Sequence, residues 1–210
     1  MNVQNILKDA LNIYHYGSYV YGTFQEGKSD MDFIVVLPNE YNIESDFIED
    51  NNCQYSLYTL DQWENKLHNH DVDAIETYFL PDKYRIKETV HTIININPEK
   101  LRESFSRTAS NSWVKCKKKL EVMESFNPRI AKKSLWHSLR IIDFGTQIML
   151  NGRIVNYGSM NHIYSQIVDC PNDYYSFYKA RYQQCYNSMK TIFRQASDLA
   201  SWFKNNHKGV

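Results

Sequence analysis

The chain has 210 residues, of which 42% are hydrophobic and 23% charged, with Lys plus Arg equal in number to Asp plus Glu. This is room for one large domain, or for a catalytic domain with a helical companion, and the neutral balance argues against a protein that coats duplex nucleic acid without specificity. No run of about 18 apolar residues is present, which excludes a membrane-spanning helix, and Met1-Asn2-Val3-Gln4 lacks the apolar stretch of a signal peptide. Cys53, Cys116, Cys170 and Cys185 have neither zinc-site nor disulfide-framework spacing, so buried thiols in a cytoplasmic protein are expected. The neutrality hides an asymmetry. Residues 30–82 carry 13 acids against one Lys, and residues 101–153 carry 11 Lys and Arg against four acids. Such a pattern suits a site where cations and phosphates meet, and it equally suits two solvated surfaces of different charge.

In chain order, Val3 to Ala10 reads as a short helix, and Leu11 to Tyr16 as a β-prone run leading into Gly17. Asp32 to Leu37 is a strand stopped by Pro38, and Cys53 to Thr59 is a second, with Gln54, Ser56 and Tyr58 on one face. Asp61 to His68 reads as a helix with Leu60 and Trp63 inward. Asp71 is expected to cap another helix that runs to Phe79 and is ended by Pro81. Thr89 to Ile94 is β-prone, and Asn95-Ile96-Asn97-Pro98 is a break. Beyond it, helical spacing covers Glu99 to Ser125, Pro128 to Leu150 with a stop at Asn151-Gly152, Met160 to Val168, and Asp173 to Asn205. The tail from Asn205 to Val210 is expected to fray. The chain therefore divides near residue 97: an α+β domain over 1–97, with a mixed sheet and flanking helices, and a helical domain over 98–210.

The chemistry-bearing stretch is Gly17-Ser18-Tyr19-Val20-Tyr21-Gly22-Thr23, followed by Ser29-Asp30-Met31-Asp32. Period-two alternation at the start of a strand puts Asp30 and Asp32 on one face. Two carboxylates at that separation repel unless a divalent cation lies between them, and Mg²⁺ prefers such oxygen ligands. Gly17 lets backbone approach a phosphate, and Ser18 adds an amide and a hydroxyl. In the helical half, Lys133, His137 and Arg140 are spaced four and three apart, which puts them on one helix face as a candidate clamp for a triphosphate. Lys115 and Lys117 to Lys119 read as a solvated face. The aromatic cluster at Tyr174, Tyr175, Phe177 and Tyr178 reads as packing.

The Gly17-Ser18 turn, the Asp30-x-Asp32 pair and the apolar strand behind it resemble the DNA polymerase β nucleotidyltransferase superfamily. The longer form is similar to a branch of predicted bacterial and phage nucleotidyltransferases that includes the RNA-repair-associated polymerase β family. Asp73 to Pro81 is similar to that branch's acid-containing helix, and Lys133-x-x-x-His137-x-x-Arg140 followed by Gly152 to its C-terminal motif. The Tyr-, Asn- and Lys-rich composition fits an AT-rich genome such as a phage's. The resemblance implies transfer of a nucleoside monophosphate from an NTP such as ATP to an acceptor hydroxyl, with an RNA or tRNA end as the leading acceptor. A protein side chain or a small molecule are the other acceptors. It implies Mg²⁺ or Mn²⁺ on Asp30 and Asp32, nucleotide binding by Gly17, Ser18, Thr23, Ser29, Lys133, His137 and Arg140, and a helical domain that closes the nucleotide site. Thr23 and Ser29 would serve by shaping the turn. The superfamily takes a third carboxylate from the next central strand, where this chain has Gln54; Glu76 is the candidate replacement. The neutral Gln54 also supports an alternative, a nucleotidyltransferase-fold binding protein, antitoxin-like or inhibitory, without catalysis.

Overall fold

The computed structural model describes residues 3–43 and 46–206. The polar Met1-Asn2 start and the tail from His207 lie outside the described residues. The chain divides into two compact units, 1–95 and 96–210.

The first unit is built on a five-stranded mixed sheet. Its elements are α1 (Val3–Asp9), β1 (Asn12–Tyr16), α2 (Gly17–Tyr21), β2 (Met31–Leu37), β3 (Phe47–Asp50), β4 (Cys53–Thr59), α3 (Leu60–Asn69), α4 (Val72–Tyr78) and β5 (Arg85–Glu88). The strand order is β3-β4-β2-β1-β5, with β2 and β4 parallel and the other pairs antiparallel. One face buries Ile13, Val35, Leu37, Tyr55 and Leu57 against Ile6 and Ala10 at the α1 end. On the other, Tyr14 and Tyr58 pack on Trp63 of α3, with ring centroids 6.1 and 5.7 Å apart. A sheet sealed on both sides explains why β2 reads as an unbroken apolar run rather than an alternating one.

Several expectations need correction. The Gly17-Ser18 turn is the first turn of the five-residue α2. Asp71 stands at the N-cap of α4, where its carbonyl accepts from Ile75 N but its side chain makes no capping bond; the carboxylate takes Lys66 Nζ at 3.1 Å instead. β3, unrecognised in the sequence, joins β4 through Asn51-Asn52, both at positive φ (48° and 61°), the backbone a two-residue hairpin loop requires. Thr89 to Ile94 forms no strand. The Asn12 side chain takes the backbone that a neighbouring strand would have paired: Oδ1 accepts from Thr89 N and Val90 N at 2.9 and 3.0 Å, and Nδ2 donates to Val90 O at 2.8 Å.

The second unit is helical: α5 (Pro98–Glu121), α6 (Pro128–Asn151), α7 (Tyr164–Val168) and α8 (Tyr175–Asn206), with short 3-10 turns at Met123–Ser125 and Asn161–Ile163. Asn97 and Asn127 cap α5 and α6 with their side chains, each followed by Pro at the first helical position, and Gly152 at φ +72° ends α6. Leu101, Phe105, Ala109, Trp113, Cys116 and Leu120 form the buried stripe of α5. α5 packs on α6 and α8, and α8 buries Tyr178, Tyr182, Tyr186 and Phe193. Trp113 stacks on Tyr186 (4.6 Å) and donates its indole N–H to Tyr175 Oη at 2.9 Å, so the aromatic cluster there is packing, although Tyr174 itself is exposed. Burial raises the Cys116 thiol to about 12, an inert core group. Among the described residues no helix is long and apolar enough to cross a membrane.

Candidate active site

Register places four side chains in one row across the first unit's sheet. Tyr16 of β1 lies opposite Asp32 of β2, Asp32 beside Gln54 of β4, and Gln54 opposite Glu49 of β3. Residues paired in this way share a face. Asp30 precedes β2, is exposed, and reaches the row through Gln54, whose Nε2 donates to Asp30 Oδ2 and to Glu49 Oε1, each at 3.2 Å. Gln54 thus stands where the resemblance expects an acid and ties two acids together through its amide.

Gly17 closes the row from the α2 side. Its φ is +65°, and a Cβ there would overlap the Asp32 carboxylate, with Cγ only 2.8 Å away. The glycine is needed twice over, for a left-handed backbone and for close approach of backbone to carboxylate. Ser18 is half-buried beside it, and its carbonyl accepts from Thr23 N at 2.9 Å. Ser29 Oγ accepts from Gln25 N at 3.1 Å, which folds the loop that delivers Asp30. The Thr23 amide thus bonds backbone of α2, and the Ser29 hydroxyl bonds backbone of the loop that joins α2 to β2.

The chemistry of the donors fits a divalent cation. Asp30 and Asp32 are two carboxylates at one strand end, and Mg²⁺ is held by one or two carboxylates with substrate phosphates and water completing its shell. Among the described residues no group of three or more His, Cys, Asp or Glu is arranged to hold a metal, and Glu76 lies in the interior of the unit. It is 1% exposed, and its Oε2 accepts from Tyr21 Oη at 2.6 Å and Tyr16 Oη at 3.2 Å.

In the second unit the Lys133, His137, Arg140 face is graded by depth. Lys133 is exposed, His137 half-buried and Arg140 0% exposed. The Arg140 guanidinium lies over the Phe144 and Trp136 rings, at 4.8 and 5.5 Å, and meets His137 Nδ1 at 2.7 Å. A guanidinium only donates, so Nδ1 accepts and the imidazole proton sits on Nε2. Burial, with the Arg140 and Lys115 charges behind it, holds His137 well below the usual histidine range. His137 is therefore a neutral donor set in place by Arg140, and Arg140 is too deep to form the third finger of a clamp.

Residues 2–95 match a family model described as a nucleotidyltransferase domain. The N-terminal unit is a nucleotidyltransferase domain of the DNA polymerase β-like superfamily. No curated protein matches the chain. Within this nucleotidyltransferase domain, the sequence pointed to Gly17, Asp30 and Asp32 but missed Tyr16, Tyr21 and Glu49. Glu49 was hidden because the short β3 was not recognised, although Asn51-Asn52 before a strand was a usable hairpin signal. Tyr16 and Tyr21 bracket the Gly17-Ser18 motif, yet only the fold shows that both reach one distant carboxylate.

Proposed function

We propose that the protein transfers a nucleoside monophosphate from an NTP to an acceptor hydroxyl, with Asp30 and Asp32 holding Mg²⁺ or Mn²⁺. The observation that carries this reading is the seating of the Asp32 carboxylate against the Gly17 backbone, beside Asp30, within a nucleotidyltransferase domain. Phosphate oxygens would then be met by the Ser18 amide and hydroxyl, next to the acids that hold the cation. The cation would offset charge on the triphosphate and on the departing pyrophosphate. As the acceptor oxygen bonds to the α-phosphorus and gives up its proton to solvent water, the bridging bond to the β-phosphate breaks and pyrophosphate leaves. In the helical unit, taken by itself, exposed Lys133 and the Nε2–H of His137 are proposed as anion donors, with Arg140 acting through His137. The acceptor we favour is an RNA end, because residues 101–153 are rich in Lys and Arg.

The test is transfer of label from each α-labelled NTP to total RNA or protein, with either metal. Removing a ligand that stabilises transition-state charge costs several kcal/mol, about 100-fold or more in rate. Asp32→Ala should therefore lose at least that much transfer. Undiminished transfer in Asp30→Ala/Asp32→Ala would sink the assignment. A second reading is favoured by Gln54 alone: an amide in the third-acid position, bonded to Asp30, suits a domain that binds nucleotide without turning it over. It predicts measurable NTP binding with no pyrophosphate release in either metal.

A further inference from the structure

We infer that Glu76 is a positioning residue for the phosphate-binding turn, acting through Tyr16 and Tyr21. The inference rests on the nucleotidyl-transfer reading for its functional consequence and on geometry for the tie itself.

The turn needs an external tie. α2 has five residues, and its N-cap, Tyr16, makes no side-chain capping bond. So short a helix has no stability of its own in water. Its two ends are nonetheless held to one point. Tyr16 ends β1 directly before Gly17, and Tyr21 is the last residue of α2 before Gly22 turns the chain at φ +74°. Both phenol hydroxyls donate to Glu76 Oε2, at 3.2 and 2.6 Å, across 60 and 55 residues of sequence. Their rings sit edge to face, 6.0 Å apart.

The anchor is fixed in its turn. Glu76 lies in α4, where Ala74 and Ile75 are 0% exposed and Glu76 itself 1%. One buried carboxyl oxygen that accepts from both ends of a turn sets its width as well as its place. Tyr16 is also the strand partner of Asp32. The same carboxylate therefore fixes the Gly17-Ser18 backbone relative to the acid that Gly17 touches. This explains a buried acid that lies in the domain yet outside the metal-binding pair.

The test uses the full chain with Glu76→Gln, which keeps the shape, and Tyr21→Phe, a milder change should the first fail to fold. Amide exchange of residues 17–22 and steady-state kinetics with the NTP are measured side by side. Loss of an outer partner that orients a site costs 10- to 100-fold as an order of magnitude. We expect faster exchange at 17–22 in both variants, with α1 still protected. We also expect the NTP KM to rise about 10-fold or more while kcat changes less, the pattern of lost uniform binding. Unchanged exchange at 17–22 would overturn the inference. So would a collapse of kcat in Glu76→Gln as deep as that of Asp32→Ala, which would make Glu76 a catalytic acid. If the wild-type protein transfers nothing, the reading of function fails, while the exchange result still decides the tie.

Discussion

At Gly17 and Gly27 φ is alike, at +65° and +73°, but the surroundings differ. A Cβ on Gly27 would meet nothing within 4 Å, and one on Gly17 would run into Asp32. Holding an L-residue in the left-handed region costs about 1–2 kcal/mol. Gly27→Ala should lose only that in urea unfolding and keep nucleotide binding. Gly17→Ala should lose more than Gly27→Ala and bind nucleotide poorly, because the Asp32 carboxylate must move to admit the methyl. Equal losses, with binding intact in both, would mean that the Asp32 carboxylate is free to swing aside and that the close approach has no function. Much of this was legible in the sequence, because glycine before serine and acids two apart are local signals. What was not legible is depth. Lys133, His137 and Arg140 share a helix face as their spacing requires, but nothing in that spacing shows that Arg140 lies under aromatic rings with 0% exposure.

At the scale of the element, local propensity and packing can disagree in sign, and Gly145 tests which prevails. It lies inside α6, where replacing Gly by Ala ordinarily stabilises a helix by about 0.8–1.0 kcal/mol. Here the added Cβ would lie 2.6 Å from Phe193 Cζ and 3.1 Å from Phe105 Cδ1. Overfilling a packed interior costs about 1–3 kcal/mol, so Gly145→Ala should destabilise the protein, and Phe193→Leu in the same chain should recover part of the loss. A stabilised Gly145→Ala would show that α8 gives way easily at Phe193. The same contest explains which elements the sequence revealed. β2, β4 and the capped α5 and α6 carry signals that agree at every level. β3 is four residues long with exposed acidic positions, too short for a pattern. The β-prone run at Thr89 lost its ladder to the Asn12 side chain, a contact 77 residues away in sequence.

For the whole molecule, charge limits what the basic helical unit can bind. Residues 101–153 hold 11 Lys and Arg, but not all of these can meet a polyanion. Lys132 is 7% exposed and pairs with Asp173 at 2.7 Å, and Arg140 is 0% exposed. Arg102 and Arg107 are bonded to Asp198 and Glu103. Lys115, Lys117, Lys118, Arg129, Lys133 and Arg153 remain exposed, Lys117 of them 3.8 Å from Glu121, enough for a handful of phosphate contacts. If RNA is the acceptor, each phosphate neutralised on a single strand should add about −0.7 to the slope of log K against log salt. A slope of about −2 to −4 is then expected for a short single-stranded RNA, reduced by roughly one in Lys115→Glu/Lys118→Glu. Fluorescence anisotropy across roughly 50 to 300 mM KCl, about a sixfold range, resolves such a slope. RNA binding with this slope, unchanged in Asp32→Ala, would separate acceptor capture from chemistry and support an RNA end as the acceptor. Absent or salt-insensitive binding would leave the exposed lysines as a solvated surface and move the proposed acceptor to a protein side chain or a small molecule, with Asp30, Asp32 and the Gly17 turn still the proposed site of transfer.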